Sequence, residues 1–443
     1  MSQFKNSKAP SPEDIRNDVS SFLRDKYGDQ VIIPPNPERV GKEPGEKDDD
    51  KKSLSDINFD LKPTELEAYL RQYVVGQDDA IEVLSTKIAT HFNRMKYEIQ
   101  NNDIPPLVGN IKSNMLMIGP TGVGKTYIIK LIAEKIGVPF VKGDATKFSE
   151  TGYVGGDVDD LVRNLVHEAN GDTKLAEYGI IYLDEIDKIA SSGSSVGPDV
   201  SRSGVQRNLL KLMEEGEVDL KVPHDLASQM EAAMEAQRTG KVERKKINTK
   251  NILFVTSGAF SGLPDIIRKR LNQQPMGFTN KRSDVFQVPD TDIFKKVRSE
   301  DLIGFGFESE FVGRLPVVVS LNHLDVHGLY LILNNRNSTV IQGKKRDFRA
   351  YGIEIEFEDE ALVRMAELAF EERTGARGLT SVVDRLLLKF EKHLPDTDLT
   401  HLVITKEMVE QPYKELDKIL TNYYIKSFQK GFLMRTNIVI TFT

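Results

Sequence analysis

The sequence predicts an α/β protein: a parallel sheet flanked by helices, followed by a smaller, mainly helical domain. Three observations predict it. Short runs that are apolar on both faces recur at MLMIG (115–119), GIIYLDE (179–185) and NILFVTSG (251–258). Strands without a polar face belong inside a sheet covered on both sides. Segments with helical spacing alternate with these runs. Beyond about Leu321 helical spacing dominates, with one further strand candidate, GIEIEF (352–357).

Taken in order, residues 12–27 have the pattern of an amphipathic helix. Ser11 suits its cap, Pro12 and Glu13 its first turn, and Gly28 its end. Ile15, Val19, Phe22 and Leu23 share one face, which either docks a partner or packs on its own domain. Residues 34–53 are rich in Pro, Gly and charge and read as a solvated linker, the Asp48–Asp50 run included. From about Leu61 the chain becomes globular. Helices are expected over Pro63–Tyr73 and Asp78–Tyr97, and MLMIG is a strand entering a Gly-rich turn. YIIKLIAEKIG (127–137) is a helix ended by Gly137, and VPFVKGDAT (138–146) a second strand. A helix over 157–171 puts Val158, Leu161, Leu165 and Val166 on one side; another covers 205–216. The domains expected are an N-terminal helix and linker (1–60), a large domain (61–320), a small domain (321–411) and an extension (412–443). The last segment, 423–443, breaks its apolar residues with Lys and Arg; it adds a strand or frays.

Composition narrows the function classes. The 443 residues carry a net charge of −7, which gives no global attraction for nucleic acid or an anionic membrane. Cysteine is absent, which excludes disulfides, thiolate zinc sites and cysteine nucleophiles. No run of about 18 apolar residues is present, and the N-terminus has no apolar signal core. A cytoplasmic location is expected.

GPTGVGKT (119–126) carries the chemistry. It satisfies G-x-x-x-x-G-K-[ST] between a strand and a helix. In such a P-loop the segment Gly119, Pro120, Thr121, Gly122, Val123 and Gly124 wraps phosphates with its backbone N–H groups, which every residue but the proline supplies, and Tyr127 follows at the helix start. Lys125 reaches the β- and γ-phosphates and Thr126 holds Mg²⁺. About 60 residues later GIIYLDE supplies the acid such a loop needs: Asp184 for the metal, and Glu185 to orient or deprotonate the attacking water. The pair points to Mg²⁺-dependent NTP hydrolysis. A bare P-loop also allows a nucleic-acid motor, against which the acidic balance argues.

From Leu61 to about Asp396 the chain resembles the ClpX family of AAA+ unfoldases. The resemblance rests on YVVGQDDAIEVLS (73–85), GPTGVGKT, GDATKFSETGYVGGDV (143–158), GIIYLDEIDKIA (179–190), GVQRNLLKLMEEG (204–216), ILFVTSGAF (252–260), ESEFVGRLPVVVSL (308–321) and RTGARGL (373–379), in that order. It implies an AAA+ large domain, a small C-terminal domain, ATP as substrate and a hexameric ring. Val74 and Val75 line the adenine pocket, and Thr256 or Ser257 senses the γ-phosphate. Arg377 reaches the nucleotide from the small domain. Arg314 is an arginine finger entering a neighbouring subunit's site. Gly152, Tyr153, Val154 and Gly155, with Gly156, form a pore loop that grips substrate polypeptide.

Three departures qualify the likeness. The family's four-cysteine zinc domain is impossible without Cys, so no zinc is expected. Residues 221–251 combine a helix-forming stretch with Lys241, Arg244, Lys245 and Lys246, which face the pore or simply solvate. The family docks on the ClpP peptidase through an Ile/Leu-Gly-Phe tripeptide; Met276-Gly277-Phe278 stands in that place, while LIGF (302–305) belongs to a helix near the finger. No Ser/His/Asp protease arrangement is recognisable, so no intrinsic peptidase is expected. The reading is an ATP-dependent unfoldase and translocase feeding a ClpP-type peptidase. The alternative is a peptidase-independent remodelling ATPase.

Overall fold

The computed structural model describes residues 57–101, 112–149, 156–191, 200–220, 245–273, 293–423 and 425. The first part of the chain contributes α1 (Pro63–Leu70), α2 (Asp78–Gln100), β1 (Met115–Ile118), α3 (Lys125–Ile136), β2 (Phe140–Asp144), α4 (Asp160–Glu168) and β3 (Ile180–Asp184). There follow α5 (Val200–Met213), β4 (Glu217–Asp219), β5 (Lys246–Asn248), β6 (Leu253–Gly258), α6 (Leu263–Gln273), α7 (Ser299–Phe305), α8 (Ser309–Gly313) and β7 (Val317–Ser320). The helical part contains α9 (Val326–Asn334), α10 (Thr339–Ala350), β8 (Glu354–Phe357), α11 (Asp359–Glu371), α12 (Ala376–His393), β9 (His401–Ile404) and α13 (Lys406–Glu410).

Five strands form one sheet in the order β2-β3-β6-β1-β7, every pair parallel. β1 and β6 are buried throughout and β3 is buried except at Asp184, which is why these three segments are apolar on both faces. The order matters for the site. The chain leaves β1 for β2 on one side of it, and later crosses from β6 to β7 on the other. A crevice therefore opens beyond the C-terminal ends of the central strands, where ligands bind in open α/β sheets.

The elements expected from periodicity within the described residues are present with shifted ends; the helix over 12–27 and the linker over 34–53 lie outside them, as does nearly all of 423–443. α1 stops at Leu70, because the Tyr73 and Val74 amides fold back on the Leu70 carbonyl (3.0 and 2.9 Å). α3 ends on Gly137 in the left-handed conformation, as its sequence indicated. α5 begins at Val200 rather than 205. Four strands were not anticipated. β7 is a four-residue edge strand beside β1, with Val318 partly exposed. β4 and β5 pair antiparallel and close the base of residues 221–244. β9 pairs parallel with β8 across the two intervening helices α11 and α12. LIGF lies in α7 with Leu302 buried.

The helical region touches the phosphate loop directly. The Ala376 amide donates to the Gly122 carbonyl (2.8 Å). Gly122 (φ +75°) and Gly375 (φ +64°) face each other there, and a Cβ on Gly375 would lie 2.8–2.9 Å from the Gly122 and Thr121 carbonyl oxygens. Only glycine combines that φ with that approach. Replacing Gly375 by Ala is expected to weaken ATP binding by at least about fivefold, from roughly 1–3 kcal/mol of strain forced into the contact. Titration with a fluorescent ATP analogue checks it; unchanged affinity would show that the contact is not needed for binding.

Candidate nucleotide site

The segment from Gly119 to Gly124 turns from β1 into α3. The Gly119 amide donates to the Gly258 carbonyl at the end of β6 (3.2 Å), tying the loop to the next strand. Gly124, at φ +95°, lets α3 begin directly at Lys125 and aim its first amides back into the loop. The Lys125 ammonium is buried and donates to the Gly119 and Pro120 carbonyls (2.6 and 2.7 Å). Burial pulls its pKa down to about 8, against the attraction of Asp184 and Asp187. It is a cation short of anionic partners, as a phosphate-binding lysine should be.

Asp184 ends β3 facing that helix. Its Oδ1 accepts from the Ser257 hydroxyl (2.7 Å) and the Glu185 amide (3.1 Å). Its Oδ2 lies 3.1 Å from Lys142 Nζ and 3.5 Å from Thr126 Oγ1. Burial pushes this carboxyl up, but the hydrogen bonds from Ser257 and Lys142 outweigh it and hold Asp184 below its ordinary range. Asp184 is therefore an anionic oxygen donor beside a threonine hydroxyl, the hard donor set that magnesium takes. The residues fit the ion that the P-loop implies, with Thr126 and Asp184 as its holders. Glu185 follows at φ +57°, a left-handed conformation uncommon for a non-glycine residue and often found where function holds it.

These groups line one cavity of about 500 Å³, within the range of small-molecule sites. Thr121, Gly122, Val123, Gly124, Lys125, Thr126 and Tyr127 line one part, with Asp184, Glu185 and Asp187. Val74 and Val75 line it too, with Tyr73, Leu324, Ile332 and Val340, which supply an apolar surface suited to a base. Arg377, in the first turn of α12, completes it from the helical region. The arrangement places a lysine, a threonine, three acids and an arginine around one volume.

Several contributors were invisible in the sequence. Lys142 meets Asp184 because β2 and β3 pair with Lys142 opposite Tyr182 and Asp144 opposite Asp184. Asn335, Asn337, Ser338 and Thr339 form part of the wall, and both asparagine side chains donate to the Gln72 carbonyl just before Val74. No local motif marks them. Between the two hydroxyls left open, Ser257 is the one on Asp184. Thr256, one residue earlier and on the opposite face of β6, donates to the Met115 carbonyl within the sheet (3.1 Å).

Arg314 lies elsewhere. It follows α8 and precedes β7, and its carbonyl accepts from Asn114 (3.2 Å), the residue before β1. It therefore sits at the N-terminal end of the sheet, opposite the nucleotide cavity, paired with Glu214 (2.6 Å). Of the basic cluster, Lys246 is in β5 and pairs with Glu217 (2.9 Å). Gly152, Tyr153, Val154 and Gly155 lie outside the described residues, as do Met276, Gly277 and Phe278. The flanks of the first group meet: the Gly156 amide donates to the Lys147 carbonyl (3.0 Å), and the Ser149 amide to the Gly156 carbonyl (3.4 Å). Among the described residues no helix is long and apolar enough to cross a membrane.

The chain is similar to known proteins over most of its length. Residues 110–318 match the AAA domain (Cdc48 subfamily) family, and residues 339–392 match the C-terminal, D2-small domain, of ClpB protein. The ATP-dependent Clp protease ATP-binding subunit ClpX of Treponema denticola is 38% identical over 353 residues, spanning 78% of this chain and 81% of that protein.

Proposed function

The chain belongs to the ClpX family of AAA+ ATPases, and from that premise we propose that it uses ATP hydrolysis to unfold polypeptides and thread them through a ring, delivering them to a ClpP-type peptidase. The observation that carries the reading is the convergence of Lys125, Thr126, Asp184, Glu185 and Arg377 on one cavity.

In this reading Lys125 and the loop amides hold the β- and γ-phosphates, and Arg377 adds charge from the helical region. Bound magnesium, held by Thr126 and Asp184, supplies neutralisation of phosphate charge. Glu185 accepts the proton of the water whose oxygen bonds to the γ-phosphorus as the bond to the ADP oxygen breaks. Ser257 holds Asp184 and is the candidate sensor. The loss of the γ-phosphate alters what Arg377 meets, and so the angle between the large domain (61–320) and the small domain (321–411). Arg314 serves a neighbouring subunit in a hexamer. Tyr153 and Val154 grip the substrate by apolar contact, and Met276-Gly277-Phe278 docks the peptidase.

The test is ATP-driven loss of fluorescence from a tagged fluorescent protein. Tyr153→Ala is expected to lose most of the unfolding while ATP hydrolysis continues. Equal unfolding by wild type and variant would remove the pore assignment and leave the ATPase standing.

A further inference from the structure

The Mg²⁺-holding residues are joined by a chain of hydroxyls that runs through the core. Tyr182 is fully buried in β3, two residues before Asp184 and on the same face of the sheet. Its hydroxyl lies 2.6 Å from Ser257 Oγ and 3.2 Å from Thr126 Oγ1. Ser257 in turn lies 2.7 Å from Asp184 Oδ1.

Proton counting sets the direction of the first two links, and distance that of the third. The ionised Asp184 carboxylate only accepts, so Ser257 must donate its single proton to it. Ser257 Oγ can then only accept from Tyr182, so the Tyr182 proton points at Ser257. The Tyr182 oxygen is left as an acceptor, and of the two acceptors in reach of the Thr126 hydroxyl, Tyr182 at 3.2 Å and Asp184 Oδ2 at 3.5 Å, it is the nearer and takes the proton. Thr126 thus has its proton drawn toward the core and its lone pairs turned away from Tyr182. A hydroxyl ligates a metal through a lone pair, so this polarity is the one a metal-holding threonine needs.

We propose that Tyr182 is a positioning residue for magnesium: its buried hydroxyl, oriented by Ser257 and Asp184, orders the Thr126 hydroxyl so that Thr126 and Asp184 present acceptor oxygens to the ion together. The proposal rests on the ATP-hydrolysis reading above. It assigns a role to a residue that a strand pattern alone describes as core. A phenylalanine would fill the same space and satisfy the same pattern, but would leave the Thr126 proton only Asp184 Oδ2 (3.5 Å), the other metal-holding group, to turn to.

Tyr182→Phe keeps the ring and removes one oxygen. The experiment measures the affinity for a fluorescent ATP analogue in excess EDTA and along a magnesium titration. Metal-free affinity is expected to stay near wild type. The magnesium concentration giving half of the metal-dependent gain is expected to rise roughly threefold to tenfold, the scale of one lost hydrogen bond. Ser257→Ala is expected to shift the magnesium half-point in the same direction, because Tyr182 is then free to donate to Thr126 and reverse its polarity. Because Ser257 also holds Asp184 directly, this variant serves in place of a poorly folding Tyr182→Phe only as a difference: its shift is expected to shrink in a Thr126→Ala background, and an equal shift there overturns the proposal. An unchanged magnesium half-point in a folded variant overturns the proposal. So does a loss of affinity that is equal with and without metal, which a merely structural role would produce. A wild-type protein that binds no ATP under any of these conditions would instead overturn the ATPase reading, and the proposal with it.

Discussion

Glu185→Gln leaves ATP binding intact and lowers hydrolysis by about 10²–10⁴-fold, the usual contribution of a positioned general base. The substitution changes one oxygen to an amide nitrogen and keeps the side chain's size. Glu185 is not among the hydrogen-bonding side chains that hold the P-loop or Asp184; it contributes its backbone amide to Asp184 Oδ1, and glutamine retains that amide. What is lost is the ability to accept a proton beside the cavity. The left-handed backbone at Glu185 turns this residue out of the strand that ends in Asp184, while both acids line the cavity. Nucleotide titration and steady-state phosphate release, measured on the same preparation, check the result. Turnover equal to wild type would remove Glu185 from the chemistry.

Arg314→Ala is expected to lower hydrolysis by about 10³–10⁵-fold, the range of an arginine finger, although Arg314 is remote from its own cavity. Its place before β7, bonded to the residue that precedes β1, puts a sheet's length between it and the P-loop. An effect on hydrolysis must therefore pass between subunits. Its pairing with Glu214 does not oppose this. Both side chains are more than 40% exposed, and ion pairs of that kind are worth about 0–1 kcal/mol, so the pairing holds Arg314 only weakly. Mixing gives the decisive measurement. Arg314→Ala subunits retain Glu185, and Glu185→Gln subunits retain Arg314, so mixed assemblies are expected to regain part of the activity that neither variant has alone. No recovery on mixing would remove the role in trans.

Much of this site was legible because it is local. A P-loop is eight contiguous residues whose conformation follows from its glycines and the strand and helix on either side. Asp184 and Glu185 were legible because an apolar strand ends in two acids at a suitable distance along the chain. Arg377 and Arg314 were legible only through resemblance, since an isolated arginine carries no pattern of its own. Tyr182 was read as one more apolar strand residue, and Lys142 as one more polar position in β2. Ser257 could not be separated from Thr256, because both are small hydroxyls at the end of one strand.

The sequence by itself determined which segments form the central strands, where the phosphate loop lies, and which acids accompany it. Those features depend on neighbours along the chain and on the period of burial. Only the tertiary structure decided that β1 lies between β6 and β7, that Lys142 stands beside Asp184, that Ser257 rather than Thr256 meets it, and that Tyr182 links Thr126 to Ser257. The physical reason is register. Shifting a strand by one residue exchanges its two faces without changing how apolar it is. Alternation of this kind is invisible in strands that are apolar on both sides, so the polar contacts that order the metal-holding oxygens appear only once the strands are paired.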